Sequence, residues 1–106
     1  MVSGRYFWML VATSLVLAAV PARSETIQVT ISKLVFSPAA IHAKVGDMVE
    51  WINKDSLVHT ATVRDGWEVM IPAKKEGTLI LREAGEFEYY CRFHPNMKGS
   101  IAVTAP

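Results

Sequence analysis

From Thr26 onward, apolar residues recur at every second position in short runs, and each run ends in polar, Gly or Pro residues. Thr26–Ser32 alternates strictly, with Ile27, Val29 and Ile31 on one face. Phe36-Ser37-Pro38 breaks the run. Ile41–Val45 alternates again, and Gly46-Asp47 signals a turn. Met48–Asn53 is the next expected strand, with Val49 and Trp51 inward, and Lys54-Asp55-Ser56 follows as a polar loop. A further strand is expected over His59–Arg64, closed by Asp65-Gly66. From Trp67 to Gly77 no period is legible, and Pro72 and Lys74-Lys75-Glu76 favour a loop. Thr78–Leu81, Glu86–Cys91 and Gly99–Thr104 complete the strands. No helical period of useful length and no internal repeat interrupts them. Short strands at this spacing predict an all-β Greek-key β-sandwich in a single small domain.

Side chains alternate between the two faces of a strand. Phe87, Tyr89 and Cys91 therefore share one face, and Glu86 and Glu88 mark the other as wet. His59, Ala61 and Val63 share a face, with Thr60, Thr62 and Arg64 opposite. Cys91 and His59 thus each extend an inward-pointing apolar row and can reach one point at the end of the core. His42 falls out of phase with Ile41, Ala43 and Val45 and is expected to face solvent.

The N-terminal stretch has a different pattern. Arg5 precedes an apolar run from Tyr6 to Val20 that ends in Val20-Pro21-Ala22, a small-residue cleavage pattern. Residues 1–22 read as a secretory signal peptide, cut near Ala22 or Ser24. Thr13 and Ser14 interrupt the run, and it is short for a membrane span, which needs about 20 apolar residues. No stable membrane insertion is expected after cleavage. Residues 23–106 then form the domain, a little over 80 residues, enough for one core. Of the eleven basic residues Arg5 is lost, leaving ten against ten acidic ones, interspersed along the chain. No basic stripe or acidic tail points to nucleic acid or a charged membrane surface.

The chain has one cysteine, so an exported form makes no internal disulfide. Its neighbours suggest why it is there. Cys91 is followed by His94 and Met97 at three-residue steps, and His59 supplies an imidazole from another strand. A thiolate, two imidazoles and a weak axial thioether make the type 1 copper set. Zinc competes for Cys and His, but a thioether is not among its usual ligands. A Cys–His hydrolase needs an orienting third group and an oxyanion hole, and no sequence feature supplies them.

The sequence resembles the small blue copper proteins of the cupredoxin superfamily, of the amicyanin and plastocyanin-like type, over essentially all of residues 23–106. The shared landmarks are Phe36-Ser37-Pro38, Val45–Trp51, Asn53-Lys54-Asp55, His59-Thr60, Gly85–Cys91 and Met97-Lys98-Gly99. The two-residue gaps from Cys91 to His94 and from His94 to Met97 are similar to the short ligand loop of amicyanin. The resemblance implies one copper ion, cycling between Cu(I) and Cu(II). It makes His59 the buried imidazole ligand, Cys91 the colour-giving thiolate, His94 the surface-edge imidazole and Met97 the weak axial ligand. It implies a soluble, monomeric periplasmic electron carrier rather than an enzyme. Transient redox partners, such as a dehydrogenase or a c-type cytochrome, would dock near Phe93, His94 and Pro95, with Met70 or Pro72 adding to an apolar ring. A copper-trafficking or storage module of the same fold is the alternative, and a non-metal interaction domain with a degenerate site is a further one. Thr60 stands where relatives often have Asn, Val58 where they have Pro, and Arg92-Phe93 where amicyanin has a small residue and Pro.

Overall fold

In the computed structural model, which describes residues 23–106, the alternating runs become nine strands. The expected signal peptide at 1–22 lies outside the described residues. The strands are β1 (Thr26–Ser32), β2 (Val35–Ser37), β3 (Ala40–Lys44), β4 (Met48–Asn53), β5 (His59–Thr62), β6 (Glu68–Ile71), β7 (Glu76–Ile80), β8 (Gly85–Cys91) and β9 (His94–Thr104). They form two sheets, ordered β2-β1-β4-β7 and β3-β9-β8-β5-β6. β1 runs parallel to β4 and β3 parallel to β9, and the other pairs are antiparallel. This is the expected all-β Greek-key sandwich, and among the described residues it contains no helix.

The inward faces follow the alternation. Val29, Ile31, Val49 and Trp51 from one sheet meet Ala61, Ile71, Tyr89, Cys91 and Ile101 from the other, all essentially inaccessible to solvent. Burying a side chain of the Val, Leu or Phe size stabilises by about 1.5–3 kcal/mol, so this double row is the main source of stability. At its centre the Trp51 ring N–H donates to the Tyr89 hydroxyl at 3.1 Å. Burial pushes the Tyr89 phenol up to about 12, with the Trp51 bond working the other way. Tyr89 lies opposite Gly99, and its ring occupies the place a Cβ there would take. Glycine is needed at 99 for space. His42 faces solvent as expected.

Three segments differ from the sequence expectation. Val35–Ser37 forms a short strand on β1 rather than a break. The connecting turn, Lys33-Leu34, has positive φ at both residues, 53° and 62°. Such a two-residue hairpin turn usually carries Asn-Gly, so Lys-Leu sends no turn signal. The Asp55 carboxylate holds it by accepting the N–H of Lys33 at 2.7 Å and of Leu34 at 3.0 Å. Within the apparent loop after Trp67, Glu68–Ile71 is a strand paired with β5, and β7 begins at Glu76. Pro72 lies just beyond β6 and costs the ladder nothing. The last strand starts at His94 rather than Gly99, so His94 and Met97 lie on β9 and not in a loop.

Asp47 closes the end of the sandwich away from His59. Its carboxylate is buried and accepts the N–H of Glu25 at 2.9 Å and of Lys44 at 2.8 Å. The Glu25 N–H, then the Lys44 N–H, outweigh burial and hold the carboxyl below the usual aspartate value. A depressed folded pKa gives stability that is present above the unfolded value of ~3.9 and lost as pH falls through the folded one. Asp47→Ala should therefore cost about 2–3 kcal/mol at neutral pH, since it strands two N–H groups. Denaturant melts at pH 7 and pH 3 test this: the variant should lose less stability on acidification than the wild type. Equal losses would remove Asp47 from the acid response.

Candidate metal centre

Three strands deliver the candidate ligands to one end of the core. Cys91 is the last residue of β8 and continues the inward row of Phe87 and Tyr89. His59 opens β5 and is completely buried. Arg92-Phe93 turns the chain between β8 and β9 and pairs Cys91 with His94. The register then jumps: Tyr90 pairs with Lys98, so Pro95, Asn96 and Met97 have no partner on β8. Pro95, which has no N–H to donate, suits such a bulge. Met97 returns from it to the core, 4% exposed and in the same apolar cluster as Cys91.

The Cys91 Sγ lies 3.7 Å from His59 Nδ1 and 3.7 Å from His94 Nδ1. The three donor atoms lie within 4.8 Å of one another. A metal bound at roughly 2.0–2.3 Å from nitrogen and sulfur separates such donors by about 3.6 Å. The sulfur–nitrogen spacing therefore fits one ion with little movement, and a soft thiolate with two imidazoles suits copper, with the buried Met97 as the candidate thioether.

Second partners fix the orientation of the donors. His59 Nε2 lies 2.9 Å from Asp55 Oδ2. A carboxylate only accepts, so Nε2 carries the proton and the Nδ1 lone pair is left for a metal. Burial acts to raise the Asp55 carboxyl, but the Leu34 N–H, the His59 ring and the Lys33 N–H together hold it below its ordinary value. Asn53, also buried, braces the same loop. Its side-chain oxygen accepts the Asp55 N–H at 2.9 Å, and its amide nitrogen donates towards the carbonyls of Leu57, Ile71 and Pro72. The sulfur itself accepts the Thr60 N–H at 3.4 Å.

Alternation places Thr60 and Thr62 on the wet face of β5, but the structure buries both. They are covered because a hydrogen-bond circuit closes over them. The Thr62 hydroxyl donates to Glu68 at 2.7 Å, which frees its oxygen to accept the Thr60 hydroxyl at 2.9 Å. The Thr60 oxygen accepts the backbone N–H of Arg92 at 2.8 Å. The Arg92 guanidinium returns to Glu68 through two bonds of 3.0 Å and stacks over Phe93 at 4.8 Å. Thr60 thus ties the His59 strand to the turn after Cys91. Thr62 and Glu68 were not singled out by the sequence, and Asp55 entered only within the landmark Asn53-Lys54-Asp55, with no role assigned to it.

Residues 4–103 match the family description "Cupredoxin-like domain". The chain is similar to amicyanin of Paracoccus denitrificans, 31% identical over 81% of this chain and 71% of that protein. It is also similar to the methylamine utilization protein MauL of Methylorubrum extorquens, at 27% identity over 82% of this chain and 81% of that one. Among solved structures, a Cu(I) form of an amicyanin variant superposes with a TM-score of 0.68 at 30% identity, covering 77% of this chain and 85% of that one. A reduced Cu(I) form of another variant at pH 4 gives 0.67 at 31% identity, over 79% and 85%.

The circuit makes a prediction about Thr60. Thr60→Val removes the acceptor for the Arg92 N–H and should cost the apo protein about 1–3 kcal/mol. Thr60→Asn, with an acceptor of longer reach, should recover part of that loss. Denaturant midpoints of the metal-free proteins measure both. A valine variant as stable as the wild type would show that the turn holds without Thr60.

Proposed function

The chain belongs to the cupredoxin-like family, and we propose that it is a soluble periplasmic one-electron carrier with a mononuclear type 1 copper centre held by His59, Cys91, His94 and Met97. One observation carries this reading: a buried sulfur faces two ring nitrogens at equal distance. Copper bound there supplies a one-electron Cu(I)/Cu(II) couple. The chain's residues supply the constancy of the frame. Asp55 holds the His59 ring, the Thr60 N–H supports the sulfur, and the Thr60 hydroxyl anchors the turn that leads to His94. Donors that stay in place reduce the rearrangement on each transfer. Met97 would supply the fourth, weaker ligand to a bound copper, which would leave no open position for a substrate, so catalysis is not proposed.

Electrons leave at His94 in this reading. Its ring is half-buried, unlike that of His59, and it lies between exposed Phe93 and Pro95. Met70, Leu57 and Val58 add exposed apolar surface at the same end. Exposed apolar clusters mark interaction sites, and weak redox encounters use small faces with fast release. The partners would be a dehydrogenase donor and a c-type cytochrome acceptor, engaged transiently by a monomer. The relatives named amicyanin and methylamine utilization protein favour an amine-oxidising donor. Export depends on the segment 1–22. No helix among the described residues is long and apolar enough to cross a membrane.

Two experiments test the reading. Cu(II) loading of the purified protein should give an intense blue thiolate-to-copper band, and Cys91→Ser should abolish it. A colourless wild type, or a blue serine variant, would refute the assignment. Phe93→Glu should keep the band and slow electron exchange with a redox partner at every salt concentration. Unchanged exchange would move the exit to another face. Release of Cu(I) to a chelator faster than electron exchange would instead favour copper trafficking.

A further inference from the structure

The charges that alternate along the chain do not alternate in space. β1 and β4 run parallel, so the β1–β2 turn and the β4–β5 loop emerge at the same end, the His59 end. The β6–β7 loop joins them. Lys33 donates its N–H to Asp55, Lys74 donates its N–H to the Asp55 carbonyl at 3.2 Å, and the Lys74 ammonium bonds the Lys54 carbonyl at 2.6 Å. The Lys75 carbonyl accepts the N–H of Asn53. Four exposed lysines are thus gathered around one loop, the loop that holds the His59 ring through Asp55.

Little opposes them locally. The Asp55 carboxylate is turned inward onto two N–H groups and His59. Glu76, exposed and next to Lys75, offsets one of the four positive charges. The Arg92–Glu68 pair is neutral as a unit. Among the described residues, none of the four lysines forms an ion pair. Other carboxylates lie elsewhere: Glu86 is five residues from Cys91 along β8, about 17 Å at the usual rise. Glu83 lies beyond it, beside Arg82, and because ten basic residues face ten acidic ones over 23–106, the positive excess at the His59 end leaves the rest of the domain net negative.

We propose that Lys33, Lys54, Lys74 and Lys75 form the charged rim of a docking surface for an acidic redox protein, an inference that rests on the electron-carrier reading above. Exposed Leu57 and Val58 lie on the same β4–β5 loop as Lys54, at the end where His59 and the Cys91–His94 turn meet. An apolar centre with a polar rim is the make-up of a protein interface. A local excess of positive charge on a nearly neutral molecule orients approach, so that the His94 edge meets a negatively charged partner first. The lysines then act on encounter rate, and the apolar centre acts on the contact itself.

The test uses the full copper-loaded chain and cytochrome b5 as an acidic haem-protein probe. Stopped-flow measures the rate at which reduced cytochrome b5 passes one electron to the oxidised protein. The rate should fall at least about tenfold between low and high salt. Lys54→Glu with Lys75→Glu, side chains that make no bond, should remove most of that salt dependence and leave the blue band and the high-salt rate unchanged. Lys75→Glu alone should give an intermediate effect, and Glu83→Gln at the far end should give none. The cationic oxidant tris(phenanthroline)cobalt(III) should show the opposite salt trend with the reduced wild type. Rates indifferent to salt and to both lysine variants would overturn the inference and leave the carrier reading standing. So would tight retention on phosphatidylglycerol vesicles at a salt concentration where cytochrome b5 is no longer steered, which would make the patch a lipid surface. If the wild type exchanges electrons with neither probe, the carrier reading fails and this inference falls with it.

Discussion

A buried cysteine sulfur that accepts one backbone N–H and faces two ring nitrogens has to be held from several strands at once. Cys91 comes from β8, the N–H and one ring from β5, and the other ring from the start of β9. Apart from adjacent His59 and Thr60 and the Cys91–His94 turn, these groups are not near one another by chain proximity. The sheet ladder β9-β8-β5 is what brings them together. The two-sided core behind it, with Trp51 and Tyr89 bonded across the sheets, keeps the ladder from shifting. A slip of one residue in β5 or β8 would turn His59 or Cys91 to the opposite face.

The frame continues outward in two polar layers. One runs from His59 through Asp55 to the turn at Lys33-Leu34, and Asn53 braces it. The other runs from Thr60 through Thr62 and Glu68 to Arg92. Each solves the same problem: a polar group in the interior must be bonded or it costs stability. Among the described residues, no buried side-chain nitrogen or oxygen lacks a partner. Satisfying these groups also fixes direction. A carboxylate at Nε2 sets which nitrogen of His59 is free, and a hydroxyl at the Arg92 N–H sets where the turn sits. Orientation of the donors is therefore a by-product of ordinary hydrogen-bond satisfaction in a small core.

The same end of the molecule combines exposed apolar residues, Phe93, Leu57 and Val58, with four exposed lysines gathered around the Asp55 loop. The two features act at different ranges. Charge acts at about a Debye length, ~8–10 Å at moderate salt, whereas apolar contact acts only after water is displaced. A carrier that must meet partners often and leave them quickly gains from that division. Short contacts can be weak while encounters remain frequent.

Alternation of period two was legible in the chain because one face of each strand is buried and the other wet, and it placed Cys91 and His59 on the inward side. The candidate set stood out too, since a lone thiol with His and Met at fixed short steps has few other uses, and the fold brings Cys91, His59 and His94 together. Three features were decided only by the fold. Lys33-Leu34 turns without glycine because a carboxylate from residue 55 accepts both N–H groups, a long-range cause that leaves no local mark. Thr60 and Thr62 look exposed by alternation and are buried because Glu68 and Arg92, distant in sequence, close over them. The lysines are scattered along the chain and meet because parallel pairing of β1 with β4 brings separate loops to one end. Local patterns report which face of a strand is apolar; which loops become neighbours depends on strand order and direction, and those are set by the packing of the whole core.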